Sequence, residues 1–445
     1  MKKLLLLVAL ACGACATTAP RTGASGNKSG GVSAATVTRV INTLAADDMG
    51  GRPSALPGNA KAGSFLANEF KRIGLEHFGQ LSGYEQAFSA YQSSTAIGEA
   101  SLGGASLPAE NVAVASGRPQ LNWNNVSSPA RVVVVGPQDN LLQQARPLLD
   151  LHEDVVVLID PSQTKAFQQL RGYLRRGGLR PDKPAEHAVV MLLAQATPTA
   201  TLPYQVAATT TVQTVPLRNV VGVLPGQDPK LAAEMVVFSS HYDHLGIITP
   251  VAGDSIANGA DDDASGTTAV VALAEHYKKL KNNARTLVFV AFTAEEIGGF
   301  GSQYFSRQLD PKQVVAMFNI EMIGKVAKFG PNTAFITGYE RSDFGSLLQS
   351  NLTGTPFRFE PDPYPEQNLF YRSDNATLAR LGVPAHTIST DQIPDDKLYH
   401  SVDDEVESLD LTNMTAVISA IAQSARGIIS GQQTPTRIPP QSVQR

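Results

Sequence analysis

Three runs of continuous apolar, β-rich sequence, at residues 235–238, 287–292 and 314–320, constrain this chain more than any other feature. A strand with one wet face alternates apolar and polar side chains. These runs are apolar at successive positions, so both of their faces must be covered. Between the first two lies a stretch with Val270, Leu273, Ala274, Tyr277 and Leu280 at helical spacing. Such strands alternating with helices predict a mostly parallel central sheet covered on both faces, a three-layer α/β/α sandwich. Amphipathic helices open this domain at Val37, Val40, Ile41 and Leu44 and at Leu66, Phe70 and Ile73. A last one carries Met414, Val417, Ile418, Ile421 and Ile428.

The pattern is interrupted once. Across residues 95–215, strand-like runs at 131–135 and 154–159 alternate with polar loops, one helix at 166–175 and a Thr-rich stretch at 209–214. This segment reads as an inserted, β-containing module, leaving residues 32–94 and 216–430 as the α/β domain; 445 residues are enough for both. No motif with chemistry occurs in the insert, and His152 and His187 stand there singly, as surface histidines do. Residues 431–445 hold three Pro and four Gln and read as a disordered tail.

The N-terminus points to export. Lys2 and Lys3 precede an apolar run over residues 4–11, followed by small residues and the chain's two cysteines, Cys12 and Cys15. Residues 1–15 therefore read as a signal peptide, too short to span a bilayer stably, and 16–31 as a flexible tether. A Cys after a short apolar run and small residues resembles the bacterial lipoprotein signal. That resemblance implies lipidation of Cys12 or Cys15 and membrane attachment, periplasmic or at the outer membrane. A plain cleavable signal, with secretion, is the other reading. Neither cysteine can staple the folded domain. The net charge of −4 and the lack of a basic run exclude nucleic acid as the main partner. Oligomeric state is not encoded in any of these signals.

The polar residues that carry chemistry sit just after the predicted strands, where open α/β sheets place their ligand crevice. The first strand ends in His241-Tyr242-Asp243-His244, in which Asp243 is placed to orient the His241 imidazole. Asn258-Gly259-Ala260-Asp261-Asp262-Asp263-Ala264-Ser265-Gly266 precedes the helix. Capping accounts for one or two of its three aspartates, and a cation accounts for the remaining one. The second strand runs into Glu295-Glu296, adjacent carboxylates that repel unless a metal or proton intervenes. The third ends in Asn319-Ile320-Glu321, an acid in an apolar run that needs a partner. His400 lies in a loop before the last helix. Each has a bland explanation alone, but His, Asp, Glu, Glu and His from successive strand ends form a nitrogen/oxygen set suited to Zn²⁺.

These motifs, in this order, resemble those of the M28 family of zinc metallopeptidases of aminopeptidase type. The resemblance includes Gly50-Gly51-Arg52-Pro53, Asn219-Val220-Val221-Gly222, Arg372-Ser373-Asp374 and Gly382-Val383-Pro384. It implies a zinc-exopeptidase fold and two zinc ions per chain. Asp262 would bridge them, His241 and Glu321 would complete one ion, and Glu296 and His400 the other. It further implies Glu295 as general base, Asp243 as orienter of His241, and peptides as substrates, cut at the N-terminal bond. Tyr371, Arg372 and Asp374 are candidate substrate contacts. The insert resembles a protease-associated domain only weakly. Many members carry Asp where Glu321 stands and His where Asn375 stands. Two other readings remain: a glutaminyl cyclase-like single-zinc acyltransferase, and a non-catalytic binding ectodomain of the same fold. All five ligand positions and the base are present, which favours hydrolysis over both.

Overall fold

The structure is a computed structural model, and it describes residues 31–126, 130–149, 151–195 and 202–439. The expected signal peptide and nearly all of the tether lie outside the described residues. Two helices open the domain, α1 (Ala34–Leu44) and α2 (Pro57–Ile73). Ser33 caps α1 by accepting the Thr36 N–H on its hydroxyl at 3.2 Å. Pro57 starts α2, where its missing N–H and fixed φ cost nothing.

Eight strands form the body of the large sheet: β1 (Glu85–Leu102), β2 (Tyr204–Leu224), β3 (Met235–His241), β4 (Thr286–Phe292), β5 (Val314–Ile320), β6 (Thr333–Ile336), β7 (Arg358–Pro361) and β8 (Ala385–Ser389). Their spatial order is β7-β6-β8-β5-β3-β4-β2-β1. The central group β8-β5-β3-β4 is parallel throughout. β2 joins β4 antiparallel, and β6 joins β8 antiparallel. Between the strands lie α3 (Gly266–Leu280), α4 (Phe300–Arg307) and, near the end of the chain, α5 (Leu411–Ser424).

Alternate residues of the central strands serve opposite faces, as a fully covered sheet requires. Val236 and Phe238 of β3, Leu287 and Phe289 of β4, and Ala316 and Phe318 of β5 pack with α1, α2, α3 and α5 in one core. Val237, Val288, Val290 and Met317 pack on the other face with Phe305 of α4. The three-layer α/β/α sandwich expected from the apolar runs is the architecture found. From β3 the chain passes to β4 on one side, then crosses back to β5 on the other, so the strand order reverses at the C-terminal end of β3. Open sheets form their crevice at such a switch point.

The insert is reached along β1 and left along β2. These two strands pair antiparallel from Glu85 opposite Val220 out to Leu102 opposite Tyr204. Beyond them, strands at Val112–Ser116, Ala188–Leu193, Val155–Ile159 and Arg131–Val135 form, in that order, a separate four-stranded sheet. Helices Leu141–Leu149 and Thr164–Arg176 pack there with Phe167 and Leu148 in a core of its own. The boundaries read at 95 and 215 fall inside β1 and β2, because the two modules share these strands rather than a linker.

The expectation of a disordered tail needs correcting for residues 431–439. Arg285, 2% exposed, donates from its guanidinium to the Gln433 carbonyl and the Thr434 hydroxyl. Arg437 donates to the carbonyl of Val314, and Ile438 is buried with Val314 and Ala385. A Pro- and Gln-rich segment cannot build a core, but it orders where an existing domain offers donors and an apolar slot. Replacing Ile438 with Ala should therefore lower stability by about 2–4 kcal/mol in urea denaturation, as for an ordinary core residue; an unchanged midpoint would mean that the segment is not anchored.

Candidate metal centre

β3, β4, β5 and β8 are parallel, so their C-terminal ends share one edge of the sheet, and the polar motifs meet there. The three adjacent aspartates divide their work. The Asp263 carboxylate accepts the N–H groups of His241, Gly266 and Met322 at 3.2, 2.9 and 3.2 Å, tying together the ends of β3 and β5 and the start of α3. Asp261 accepts the Gly324 N–H at 2.7 Å. Asp404, from the loop before α5, accepts the N–H groups of Asp261 and Asp262. Gly266 permits this closeness, since a Cβ there would meet the Ile320 carbonyl at 2.0 Å. The Asp262–Asp263 peptide bond is cis.

Asp262 alone of the three faces imidazoles. Its Oδ1 lies 3.2 Å from Nε2 of His241, and its Oδ2 lies 3.2 Å from Nε2 of His400. His400 Nε2 is also 3.3 Å from Oε2 of Glu296. Asp262, Glu295, Glu296 and Glu321 line one cavity. The sheet edge therefore assembles all five candidate ligands and the candidate base.

Asp243 reaches His241 differently from the expectation. The imidazole Nδ1 is 3.2 Å from the backbone carbonyl of Asp243 and 3.8 Å from its carboxylate. That carboxylate instead accepts the Ser54 hydroxyl and the N–H groups of Glu295 and Glu296. It thus fixes the backbone carrying the paired glutamates to the end of β3. Of the candidate substrate contacts, Arg372 lines the cavity. Tyr371 packs under the guanidinium groups of Arg341 and Arg380 instead. Asp374 is buried near Glu295 and His241, and neither it nor Tyr371 lines the cavity. Asn375 is buried beneath the crevice, donating to the carbonyls of Phe370 and Ala385.

One residue received no role from the sequence. His244, fully buried, donates from Nδ1 to Oε1 of Glu296 at 2.7 Å. This occupies one oxygen of Glu296 and leaves the other toward His400. Nitrogen and oxygen atoms of His244, Asp262 and Glu296 lie within 4.8 Å of one another. The signal was a second histidine three residues after His241 on the same strand end; spacing alone did not distinguish a supporting imidazole from a spare one.

Backbone geometry around the centre is strained. Arg52, Ala294, Met322 and His400 adopt positive φ without being glycine, at 51°, 62°, 52° and 58°. Three of these flank or carry candidate site residues, and such conformations persist only where surrounding contacts over-determine them. Arg52 is itself held. Its wholly buried guanidinium donates to the carbonyls of Tyr242, Leu44, Asn258 and Gly259, joining the first loop to the two acidic ones.

The electrostatics call for cations. Burial pushes the Glu321 carboxyl up to about 7, His241 opposing and Asp262 adding to it. Burial likewise raises Glu295 well above the carboxylate range, with Glu321, Asp374 and Glu296 contributing. Burial disfavours a charged His400, yet the carboxylates of Asp262 and Glu296 outweigh it and raise its pKa to about 10. His241 Nε2 and Glu321 Oε2 are buried and make no hydrogen bond. Unmet nitrogen and oxygen atoms converging on a carboxylate with two free faces fit divalent cations. Such ions take the place of the protons otherwise needed to neutralise the cluster.

Residues 219–425 match the profile described as Peptidase family M28. That part of the chain belongs to peptidase family M28. Curated relatives include Leucine aminopeptidase 1 of Penicillium rubens, 28% identical over 210 residues, and Leucine aminopeptidase 1 of Ajellomyces capsulatus, 30% identical over 212. Both matches cover 44% of this chain and 52% of the relative, so the chain spans about half the length of the curated relatives it matches. Among solved structures, a zinc aminopeptidase from Bacillus subtilis aligns over 91% of this chain and 97% of its own, with a TM-score of 0.52 and 15% identity. An aminopeptidase from Aneurinibacillus sp. strain AM-1 covers 89% and 94%, with a TM-score of 0.50 and 18% identity. At these identities the likeness establishes a shared fold, the zinc-exopeptidase architecture.

The His244–Glu296 hydrogen bond carries a prediction for this M28 domain. A group that orients a ligand typically contributes about 10–100-fold to metal affinity. His244→Ala should lose metal to a competing chelator at roughly that much lower chelator concentration, with the fold intact by circular dichroism. Unchanged metal retention would mean that His244 does not support the centre.

Proposed function

We propose that this chain is an exported di-zinc aminopeptidase that hydrolyses the N-terminal bond of peptides. The observation that carries the reading is Asp262, whose two oxygens face two different imidazoles, His241 and His400, at the same 3.2 Å. A carboxylate so placed is built to bridge. His241 and Glu321 would complete one zinc position, and Glu296 and His400 the other. The donor set is nitrogen and oxygen only, which suits Zn²⁺ with positions left open for water and substrate. The M28 membership and the leucine aminopeptidase relatives support the same activity.

Zinc bound there supplies Lewis acidity, polarising the scissile carbonyl and bringing the pKa of a water to roughly 7. The remaining work belongs to the chain. Glu295 lines the cavity beside these residues and takes a proton from the attacking water, then delivers it to the leaving amine. Its position is set by the left-handed turn at Ala294 and by Asp243, which accepts its N–H. Asp243 and Ser54 act together as positioning residues. A free α-amino group on the substrate would sit against this centre, which restricts cleavage to the N-terminus. Arg372, on the cavity wall, is placed to contact the substrate backbone. The lysines and apolar run of residues 1–15 support export, with Cys12 or Cys15 as the residue lipidated in a membrane-anchored form.

The test is hydrolysis of aminoacyl-arylamides, free and N-blocked, with bound metal measured on the same samples. The wild type should hold about two zinc ions per chain and cleave only the free substrates. Glu295→Gln should lose about 10²–10⁴-fold in rate while retaining its zinc. Asp262→Ala should lose both ions, and Asp243→Ala should mainly weaken one. Substantial activity in the Glu295 variant, or two tightly held ions in the Asp262 variant, would overturn the assignments.

A further inference from the structure

The cavity at the metal centre extends past the carboxylates into a pocket that the hydrolytic reading leaves without a role. The whole cavity, carboxylates included, has about 580 Å³ of empty space, part of it open to solvent. Met322, Phe335, Leu369 and Ile393 give it apolar walls, as expected of a site for a substrate side chain. Asp391 also lines it, from the loop that follows β8. Thr337, Thr387 and Ser389 add hydroxyl groups to the wall, and a buried acid among them needs a partner. Asp391 is only 5% exposed, and its Oδ1 is buried with no hydrogen-bond partner.

Asp391 belongs to a cluster of three carboxylates, and Arg372 lines the same cavity. The Asp391 carboxyl group lies within 4.8 Å of those of Asp261 and Asp396. Lys325 serves that cluster, with its ammonium 2.6 Å from Asp396 and 3.4 Å from Asp261. Among the described residues, no cationic side chain pairs with Asp391. Burial pushes the Asp391 carboxyl up to about 8, with Asp261 and a hydrogen bond to Asp396 adding to it and Lys325 opposing, so the ionised form is disfavoured until further positive charge reaches it.

We propose that Asp391 makes this pocket select peptides whose N-terminal residue has a long aliphatic side chain ending in a cationic donor, lysine above the uncharged isostere norleucine. The proposal rests on the aminopeptidase reading and sharpens its substrate class. The apolar walls take the methylene stem, which stays dry, and the ammonium completes the charge and hydrogen bonding of Asp391. A pocket with a buried polar group discriminates strongly against a ligand that leaves that group unpaired, whereas apolar walls alone separate chain lengths weakly.

The experiment measures kcat and KM for lysyl-, norleucyl- and leucyl-arylamides with the zinc-loaded full chain and its Asp391→Asn variant. In the wild type, kcat/KM for lysyl substrate should exceed that for norleucyl by about tenfold or more. Asp391→Asn should cut the lysyl value by roughly 10–100-fold, chiefly through KM, and move the norleucyl and leucyl values less than about threefold. A wild-type preference for norleucine over lysine overturns the proposal. So does an equal loss for all three substrates in the variant. Should the variant fail to fold, the lysyl-to-norleucyl ratio of the wild type decides alone. Cleavage of leucyl-arylamide by the wild type keeps the aminopeptidase reading standing whichever way the ratio falls; cleavage of none of the three removes that reading and this proposal together.

Discussion

Buried negative charge at one edge of the sheet is the constraint on which the rest of the structure depends. Asp243, Glu295 and Glu321 come within a few residues of strand ends, Asp261, Asp262 and Asp263 come just before α3, and all are withdrawn from water or nearly so. Removing an ionised carboxylate from water without compensation is far too unfavourable for a marginally stable fold. Each acid must therefore be given N–H groups, a cationic side chain, a proton or a metal ion. Much of the local architecture consists of these compensations. Asp263 collects three backbone N–H groups, Asp243 two and a hydroxyl, and Asp261 takes one N–H with Lys325 close by.

The same compensations make the crevice rigid. The acids with structural partners draw the loops after β3, β4 and β5 against each other, and Arg52 ties the first loop to them through four carbonyls. Those left facing the cavity, Asp262, Glu295, Glu296 and Glu321, then have little freedom to separate. Their mutual repulsion is held in place, and it becomes the driving force for binding cations. Backbone strain at Ala294, Met322 and His400 belongs to the same account, since the network over-determines positions the chain would otherwise avoid.

Much of this was legible beforehand. Continuous apolar runs have one stable environment, so the α/β/α sandwich followed from residues 235–238, 287–292 and 314–320 together with the helix at Val270–Leu280. The candidate ligands were legible because acids and histidines directly after such strands need a reason to be there. Harder to read was anything settled by direction and distance. The division of labour among Asp261, Asp262 and Asp263 depends on which neighbouring N–H groups point at each one. The link from His244 to Glu296 joins residues 52 positions apart. The packing of residues 431–439 depends on donors from Arg285, far away in sequence, and local composition carries no trace of it.

Sequence alone therefore determined the layer architecture, the edge of the sheet where chemistry gathers, and the kinds of donor atom found there. Periodicity and residue chemistry are local properties, and they are sufficient for those conclusions. Tertiary structure decided which of three consecutive aspartates faces two imidazoles and that Asp243 anchors the loop of the paired glutamates through its carboxylate. It also decided that Asp391, silent in its own stretch of chain, stands in the wall of the pocket. These depend on how separate strand ends converge in space. That convergence is fixed by the pairing order of β8, β5, β3 and β4, which no single segment carries.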